Sequence, residues 1–413
     1  MTDRTFEDGV RHGALPPRAA PVWARPLLRR VARLWINGGL RVVLPNGAVW
    51  RIGEDTRPCP TWQIRRWRAL GRLIRRGDIG FAEGYIAGDW DTPDLTALLL
   101  AFADNYDALG AVMSGSRLLR GLNALGHALA GNSRRGARRN IMAHYDLGND
   151  FYQGWLDPSM TYSSALFERP GMTLEQGQQA KYAALAGEAG IKAGDHVLEI
   201  GCGWGGFALY LAGDLGARVT ALTLSPAQKA FAEARIAERE LTDRIEVGLV
   251  DYRDVEGRFD AIVSIEMFEA VGEAYWPTYF QRLRELLKPG GKAALQIITI
   301  RDDLFDAYRR RPDFIQLHVF PGGMLPSEAA LDAVITGAGL CSRITRRFGV
   351  DYARTLAEWL AAFDAGRNAD DKAEFPRLWR YYLSYCEAGF RSRRTDVVMA
   401  TVATPSPTNA QDS

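Results

Sequence analysis

Cysteine is scarce in this sequence, and long apolar runs are missing. Its four cysteines, Cys59, Cys202, Cys341 and Cys386, lie far apart and form no C-x-x-C pair. That argues against a zinc site or a disulfide framework and is typical of a reducing compartment. No segment approaches the roughly 20 apolar residues that span a bilayer, and the N-terminus lacks the apolar region of a signal peptide. We therefore expect a cytoplasmic protein, without a metal site, whose contact with the inner membrane is peripheral.

Lysine is absent from the first 140 residues, where acidic residues are also few. This segment contains 22 arginines and 12 acidic residues, a balance of +10, whereas the remainder (29 basic, 37 acidic) balances at −8. Arginine binds phosphates, so the segment suits lipid headgroups or nucleic acid, with a solvated surface as the plain alternative. Residues 21–37 interleave Trp, Leu and Val with Arg at helical spacing. The pattern predicts an amphipathic helix that lies on a membrane or packs on its own domain.

Length and composition favour a globular protein of two domains, with 413 residues that are 47% hydrophobic and 24% charged. Residues 40–54 alternate apolar residues around a Pro-Asn-Gly turn, which predicts a β-hairpin and the start of an α+β module. The small, polar and basic residues 131–146 are typical of a linker. We predict a basic lipid-handling domain over residues 1–140, a catalytic domain over residues 141–404 and a disordered tail over residues 405–413.

From about residue 180, short apolar runs alternate with amphipathic stretches, which predicts a parallel α/β sheet. In one of the helices between the strands, Ser225 is a natural N-cap and Pro226 occupies the first helical position. The predicted strands are residues 196–200, 218–223, 245–250, 260–265, 292–299 and 396–403.

A glycine-rich turn follows the first of these strands, in "VLEIGCGWGGFALYL". Its glycines fit G-x-G-x-x-G, which by itself is a weak signal for a nucleotide-like cofactor. A nicotinamide-dinucleotide site typically has an acidic residue at the end of the second strand, which holds the ribose, and none is present there. Glu199 before the turn and Asp251 after the third strand better suit S-adenosylmethionine, which carries an ammonium group and an adenine amino group instead of a pyrophosphate. A dinucleotide or a purely structural turn is the alternative.

Several further motifs complete a resemblance to a known family. The chain reads "HYDLGNDFYQGWLDPSMTYSSALF", "VSIEMFEAVG", "FIQLHVFPGGMLPS", "DYARTL" and "YYLSYCEAGF" in this order. From about residue 140 to 403 it closely resembles the cyclopropane-fatty-acyl-phospholipid synthase family. The resemblance implies a Rossmann-like class I methyltransferase with a mostly parallel seven-stranded sheet, beside a smaller α+β N-terminal domain. It also implies an S-adenosylmethionine-dependent enzyme that acts on unsaturated phospholipid acyl chains at the membrane surface, as a homodimer by analogy and without a nucleic-acid partner.

The resemblance also implies roles for individual residues. The cofactor would be held by Tyr162, Ser163, Glu199, Gly201, Gly203, Thr223, Ser225, Gln228 and Asp251. In the family's reaction centre a bicarbonate ion is held by a Cys, a Glu, a His, an Ile backbone and a Tyr. The Glu, the Ile and the Tyr match Glu269, Ile298 and Tyr352.

Two positions of the reaction centre depart from the best-known bacterial pattern. Ser164 stands where that pattern reads Y-S-C-A, and Gln296 stands where it reads H-x-I. Gln at this place also occurs in a branch of the family that includes the plant enzymes. It donates hydrogen bonds to an anion but does not exchange a proton as His does. Both bicarbonate binding and the identity of the product are therefore open.

Addition of a methyl group to an alkene leaves a carbocation, which calls for a nearby anion, aromatic faces and a base. We expect Glu269 to orient the anion and Tyr352 to bond to it, and we interpret Glu266 as a charge at a helix N-terminus or a residue supporting the others. Loss of a proton from the new methyl group gives a cyclopropane, and loss elsewhere gives a methyl-branched or methylene chain, including precursors of furan fatty acids. A small-molecule or nucleic-acid methyltransferase, or a lipid-binding protein without catalysis, is the alternative.

Overall fold

The computed structural model of the chain describes residues 10–12, 20–54, 59–115, 147–366 and 373–405. It divides into two compact units, which are Met1–Gly126 with Arg311–Phe314 and Arg367–Ser392, and His127–Arg310 with Ile315–Gly366 and Arg393–Ser413. The predicted linker up to residue 146, the predicted boundary at residue 140 and the predicted tail after residue 405 lie outside the described residues. The division into functional domains stays a prediction.

The first unit contains a small sheet with the strand order β1-β3-β2-β4-β5 in the described residues. Its strands are β1 (Val10–His12), β2 (Gly39–Val43), β3 (Val49–Gly53), β4 (Thr61–Ile64) and β5 (Trp90–Asp91). β2 and β3 pair antiparallel, which confirms the predicted hairpin. The helices α1 (Arg25–Leu34), α2 (Arg68–Arg76), α3 (Asp78–Ile86), α4 (Leu95–Asp104) and α5 (Tyr106–Met113) complete this part of the unit. α1 buries Leu28 and Val31, so one face of the predicted amphipathic helix packs on its own unit.

A helix from near the C-terminus also belongs to the first unit. This helix, Glu374–Arg391, lies in sequence within the span predicted to be catalytic. The Arg377 guanidinium lies 3.9 Å from the centre of the Tyr85 ring, and its Nε donates to the Tyr85 carbonyl over 2.6 Å. The Thr96 hydroxyl donates to Glu387 over 2.8 Å. These buried polar contacts fix the helix to α3 and α4 over almost 300 residues of sequence separation.

The second unit contains a seven-stranded sheet, counted over the described residues, with the order β11-β12-β10-β9-β6-β7-β8. Its strands are β6 (His196–Ile200), β7 (Arg218–Leu222), β8 (Ile245–Gly248), β9 (Phe259–Ile265), β10 (Leu287–Ile300), β11 (Cys341–Arg347) and β12 (Thr395–Ala403). Neighbouring strands from β8 to β10 pair parallel, and β12 pairs antiparallel with both β10 and β11. The mostly parallel sheet and the six predicted strands are confirmed. β11 was not predicted, because its polar, half-exposed sequence carries no apolar run.

Helices of the second unit connect these strands. They are α6 (Asn149–Gln153), α7 (Leu174–Ala189), α8 (Gly206–Gly213), α9 (Pro226–Glu238), α10 (Trp276–Leu286), α11 (Asp302–Tyr308), α12 (Phe314–His318), α13 (Glu328–Gly337) and α14 (Gly349–Ala365). α12 begins at the last residue of the segment assigned to the first unit. β6 lies in the middle of the sheet, between β9 and β7. β7 and β8 follow on one side of it, and β9 and β10 then follow on the other side, so the strand order reverses at β6. Ligands of open α/β sheets bind at the carboxyl ends of the strands beside such a point.

Two absences hold for the described part of the chain. None of its helices is both long and apolar enough to cross a membrane. Within the same residues, no group of three or more His, Cys, Asp or Glu side chains is arranged to hold a metal ion. None of the four cysteines, which all lie within these residues, is in a disulfide.

Candidate active site

The glycine turn lies directly after β6 and begins the site. Gly201 and Gly203 have φ values of +86° and +52°, a region that glycine adopts at little cost. A Cβ atom on Gly201 would come within 2.8 Å of Met267, whereas one on Gly203 would have no neighbour within 4 Å. The backbone at Gly203 therefore borders open space, where a ligand can approach closely.

Glu199 is buried just before this turn. One carboxylate oxygen, Oε2, has no hydrogen-bond partner among the described residues. Burial raises the pKa of Glu199 to about 8, against a lowering contribution from the backbone N–H of Ala208. A buried acceptor without a partner calls for an explanation. A cationic or hydrogen-donating ligand at the turn would provide one.

The end of β7 lies beside the same turn. The N–H groups of Gly201 and Cys202 donate to the carbonyl of Leu222 over 3.0 and 2.8 Å. Ser225 caps α9, as predicted, by accepting from the backbone N–H of Gln228. The hydroxyl of Thr223 donates to the Gln228 side chain over 2.7 Å and accepts from the N–H of Ser225 over 3.1 Å. The three polar residues assigned to the cofactor here are thus bonded to one another.

Asp251 follows β8, and its carboxylate is bonded within its own turn. It accepts from the Arg253 side chain over 2.8 and 2.6 Å and from the Arg253 N–H over 3.0 Å. Arg253 neutralises the charge that the sequence analysis assigned to the cofactor. The cofactor role of Asp251 stays a prediction.

Tyr162 and Ser163 lie among buried aromatic and polar groups. The Tyr162 ring is about 5.5 Å, between centroids, from each of Tyr152, Trp155 and Trp359. The Ser163 hydroxyl accepts a 2.6 Å hydrogen bond from the ammonium group of Lys181. Lys181 lies on α7 and is fully buried. Burial lowers its pKa, while the charges of Glu266 and Asp157 act in the opposite direction.

The carboxylate of Glu266 lies at the centre of the predicted reaction site. Its Oε1 accepts from the Ser164 N–H over 2.9 Å and from Gln296 Nε2 over 2.7 Å, and its Oε2 accepts from the Tyr352 hydroxyl over 2.5 Å. Burial raises the pKa of Glu266, and Tyr352, Lys181, Ser164 and Gln296 counteract the increase.

Glu269 lies one turn further along the chain. Its Oε1 accepts from the N–H of Ile298 over 2.5 Å, while its buried Oε2 has no partner in the described part of the chain. Burial and the nearby Glu266 carboxylate raise the pKa of Glu269 to about 8. Glu269 therefore retains its proton at neutral pH more readily than an ordinary carboxyl group. Two coupled carboxyl groups with different surroundings are typical of acid–base chemistry.

The residues present do not fit a free bicarbonate ion. Residues at three of the positions that the resemblance assigned to that ion bond to Glu266 instead, namely Tyr352, Gln296 and, through its backbone N–H, Ser164. The fourth, the N–H of Ile298, bonds to Glu269. The Ser164 hydroxyl is also engaged, because it donates to the carbonyl of Ala165 over 2.9 Å. The glycine turn with Glu199, by contrast, fits a cationic cofactor.

Sequence reasoning missed two residues of this site. The first is Lys181, which shares the buried face of α7 with Gln178, Tyr182 and Leu185. Lys181 follows Gln178 by three residues and precedes Leu185 by four. This spacing places it on the same face of the helix as apolar residues, which was a detectable signal in the sequence. The second is the central position of Glu266, which the interpretation as a terminal charge or supporting residue did not anticipate. Nothing in the local sequence indicates its partners, because they come from three distant segments.

Comparison with known proteins places this geometry in a family. The mycolic acid cyclopropane synthetase family matches residues 132–400. The tuberculostearic acid methyltransferase of Mycobacterium tuberculosis is 39% identical over 96% of this chain and 94% of its own length. The cyclopropane-fatty-acyl-phospholipid synthase of Escherichia coli is 34% identical over 78% of this chain and 82% of its own.

Solved structures agree with these relatives. The mycolic acid cyclopropane synthase CmaA1, in complex with SAH and CTAB, is 32% identical and superposes with a TM-score of 0.59 over 64% of this chain and 97% of its own. The cyclopropane synthase MmaA2 from Mycobacterium tuberculosis is also 32% identical, with a TM-score of 0.60 over 65% of this chain and 98% of its own. The fold, the cofactor and the enzyme class predicted from the sequence are confirmed. The chain belongs to the mycolic acid cyclopropane synthetase family and is an S-adenosylmethionine-dependent methyltransferase.

Proposed function

We propose that this enzyme methylates the double bond of unsaturated acyl chains in phospholipids. The observation that supports this most directly is a half-buried carboxylate next to aromatic rings. Glu266 bonds to Tyr352, whose ring centre lies 6.2 Å from that of Trp359, which in turn contacts Tyr162. Negative charge and aromatic faces together stabilise a carbocation, the intermediate that forms when an alkene is methylated.

S-adenosylmethionine supplies an electrophilic methyl group when it is bound. The chain would hold it with the glycine turn, Glu199 and the bonded group of Thr223, Ser225 and Gln228. These residues bind and orient, while the buried surroundings exclude water that would otherwise capture the cation. Glu269, whose buried Oε2 has no hydrogen-bond partner among the described residues, would place a further polar group beside the reacting carbons.

The product depends on which proton leaves, and a methylene product also requires a 1,2-hydride shift that first moves the charge to the methylated carbon. We propose an open-chain product, a methyl-branched or methylene acyl chain, because the tuberculostearic acid methyltransferase matches almost the full length of this chain. Ring closure to a cyclopropane is the second candidate. It is favoured by the description of the family and by the cyclopropane-fatty-acyl-phospholipid synthase among the relatives.

We further propose that the first unit brings the enzyme to the membrane surface. Three apolar side chains around α1 are strongly exposed, namely Val22 (76%), Trp23 (50%) and Ile36 (66%). The exposed residues of α1 also include three arginines, Arg29, Arg30 and Arg33. Exposed tryptophan beside arginine is typical of surfaces that contact anionic lipid. Sedimentation with anionic and neutral vesicles tests this, and a Trp23→Ala variant that binds anionic vesicles as well as the wild type would contradict it.

Isotope labelling tests the reaction itself. Cells that make unsaturated phospholipids would express the protein in medium with deuterated-methyl methionine, and their fatty acids would be analysed by gas chromatography and mass spectrometry. Three deuteria in a chain that is still unsaturated indicate a methyl branch, two in an unsaturated chain indicate a methylene group, and two in a saturated ring indicate a cyclopropane. A Glu256→Gln variant, altered at an exposed acid before β9, should match the wild type. No label in lipid would overturn the proposal and favour a small-molecule or nucleic-acid substrate.

A further inference from the structure

Both oxygens of the Glu266 carboxylate are held by donors from three separate segments. Ser164 precedes α7 in the chain, Gln296 lies on β10 and Tyr352 lies on α14. All three donor residues are buried. Three convergent donors on one carboxylate favour its ionised form and fix its orientation.

The backbone at Glu266 is unusual for a residue with a side chain. Its φ is +48°, in the left-handed region that glycine favours, while its N–H still donates to the carbonyl of Gln296 over 2.9 Å. Glycine would adopt this conformation without steric cost. Residues held in such conformations concentrate at functional sites, where the side chain is needed at that point. The backbone strain is therefore a second, independent indication that the carboxylate has a role.

The charges around Glu266 point in the same direction. The fully buried ammonium group of Lys181 attracts the carboxylate, and Asp157 is the other acid whose charge acts on this lysine. Burial and the charge of Glu266 raise the pKa of the neighbouring Glu269 to about 8. Of the two carboxyl groups, Glu266 has three donors from separate segments and the nearby cation of Lys181, whereas Glu269 accepts from the N–H of Ile298 and lies beside the charge of Glu266. Glu266 is consequently the member of the pair that is suited to carry the negative charge.

We propose that Glu266 is the catalytic base of this enzyme and takes the place of an external anion. The inference rests on the proposed function. After a methyl group has been added to one alkene carbon, the adjacent carbon carries the positive charge. A C–H bond next to that carbon, or in the new methyl group, then breaks; for a methylene product a 1,2-hydride shift first moves the charge to the methylated carbon. Its electron pair forms the new C=C bond or closes the ring, and the proton goes to a carboxylate oxygen of Glu266.

This assignment explains why the residues do not fit bicarbonate. The donors that would hold a free anion are already bonded to an anion that belongs to the chain. It also gives roles to the two departures from the bacterial pattern, because Gln296 and the Ser164 backbone act as positioning residues that orient Glu266. A base that accepts protons itself does not require a proton-exchanging histidine beside it.

Removal of the carboxylate tests the assignment. Glu266→Gly suits the left-handed backbone and leaves a space among the donors, whereas Glu266→Gln fills that space with a neutral amide. We expect both to bind S-adenosylmethionine like the wild type and to lose turnover by about 10²–10⁴-fold, the usual contribution of a general base. Added formate or bicarbonate should restore part of the activity of Glu266→Gly but none of Glu266→Gln. Glu256→Gln is the control and should behave as the wild type.

Dependence on bicarbonate is the second measurement. Wild-type turnover in buffer freed of carbon dioxide should equal turnover with added bicarbonate, and Glu266→Asp should be more active than Glu266→Gln. The proposal is overturned by wild-type activity that needs bicarbonate, by equal activity of the Asp and Gln variants, or by a cofactor-binding Glu266→Gly that no small anion restores. Absence of label in lipid from the wild type would instead overturn the proposed function, so the two failures are distinguishable.

Discussion

The hydroxyl of Tyr352 donates a 2.5 Å hydrogen bond to the carboxylate of Glu266, across 86 residues of sequence. Tyr352→Phe removes this donor and leaves the ring in place. A hydrogen bond to a charged group contributes about 1.5–3 kcal/mol, so we expect turnover to fall by about 10–100-fold. Steady-state kinetics measures the loss, with Tyr210→Phe on α8 as the control. Equal activity of wild type and Tyr352→Phe would show that the bond does not orient the carboxylate.

Glu269→Gln should reduce turnover and leave cofactor affinity nearly unchanged. The amide oxygen can still accept from the N–H of Ile298, so the local geometry is preserved, while the titratable group that we propose lies beside the reacting carbons is lost. Removal of one polar group that stabilises a transition state costs about 10²-fold or more. Kinetics and calorimetric titration with S-adenosylmethionine separate the two effects. A variant that fails to fold would instead assign Glu269 a structural role.

Stability should depend on pH through Glu199. Its pKa is raised from 4.5 to about 8 by burial, so the folded state binds this proton more tightly than the unfolded state. The stabilisation is present below about pH 4.5 and is lost as the pH rises towards 8, at up to about 1.4 kcal/mol per pH unit. Glu199→Gln lacks this titration. As the pH rises across that range, the free energy of unfolding of the variant should therefore increase relative to that of the wild type.

Urea denaturation of the cofactor-free proteins at several pH values measures this difference. A constant difference between wild type and Glu199→Gln would mean that the carboxyl group is not perturbed in the folded protein. Asp260→Asn is a suitable contrast, because Lys288 and the N–H of His196 lower the pKa of Asp260. The stabilisation that the Asp260 carboxylate contributes is present at higher pH and is lost as the pH falls through its lowered pKa, the reverse of the behaviour of Glu199.

Gln296→His should change the product distribution. Gln296 lies 2.7 Å from Glu266 and donates to it without exchanging a proton, whereas histidine at that position can take up a proton itself. We expect a shift between ring-closed and open-chain products, measured from deuterium retention in the fatty acids. Gln316→His, a buried glutamine that donates to the carbonyl of Gly323, is the matched control. An unchanged product would mean that this departure does not select the proton that leaves.

Lys181→Met should move the acid limb of the turnover–pH profile to higher pH. The charge of Lys181 lowers the pKa of Glu266, against burial, and acts together with Tyr352, the Ser164 N–H and Gln296. Without the lysine, Glu266 would ionise only at higher pH, and we expect a shift of about one pH unit. Lys229→Met, at a partly exposed lysine of α9, is the control. If the turnover–pH profile of Lys181→Met does not shift, Lys181 does not influence the ionisation of Glu266.

Much of the fold was predictable from the sequence. β6, the glycine turn and α8 follow in immediate succession, and the Ser225 cap fixes the start of α9. These features depend on residues within a few positions of one another, through periodicity, capping and turn conformation. β11 escaped prediction because its pairing with β12, and not its own composition, makes it a strand.

The proposed reaction site was likewise predictable only in part. By itself the sequence determined the parallel sheet, the glycine turn and the presence of Glu266, Glu269, Gln296 and Tyr352, since motifs and short-range patterns are written along the chain. Only the tertiary structure decided that Glu266 accepts from Ser164, Gln296 and Tyr352, which lie 102, 30 and 86 residues away. It likewise decided that Lys181 is buried against Ser163. The physical reason is that hydrogen-bond partners and burial are set by the packing of distant segments, which no local pattern records.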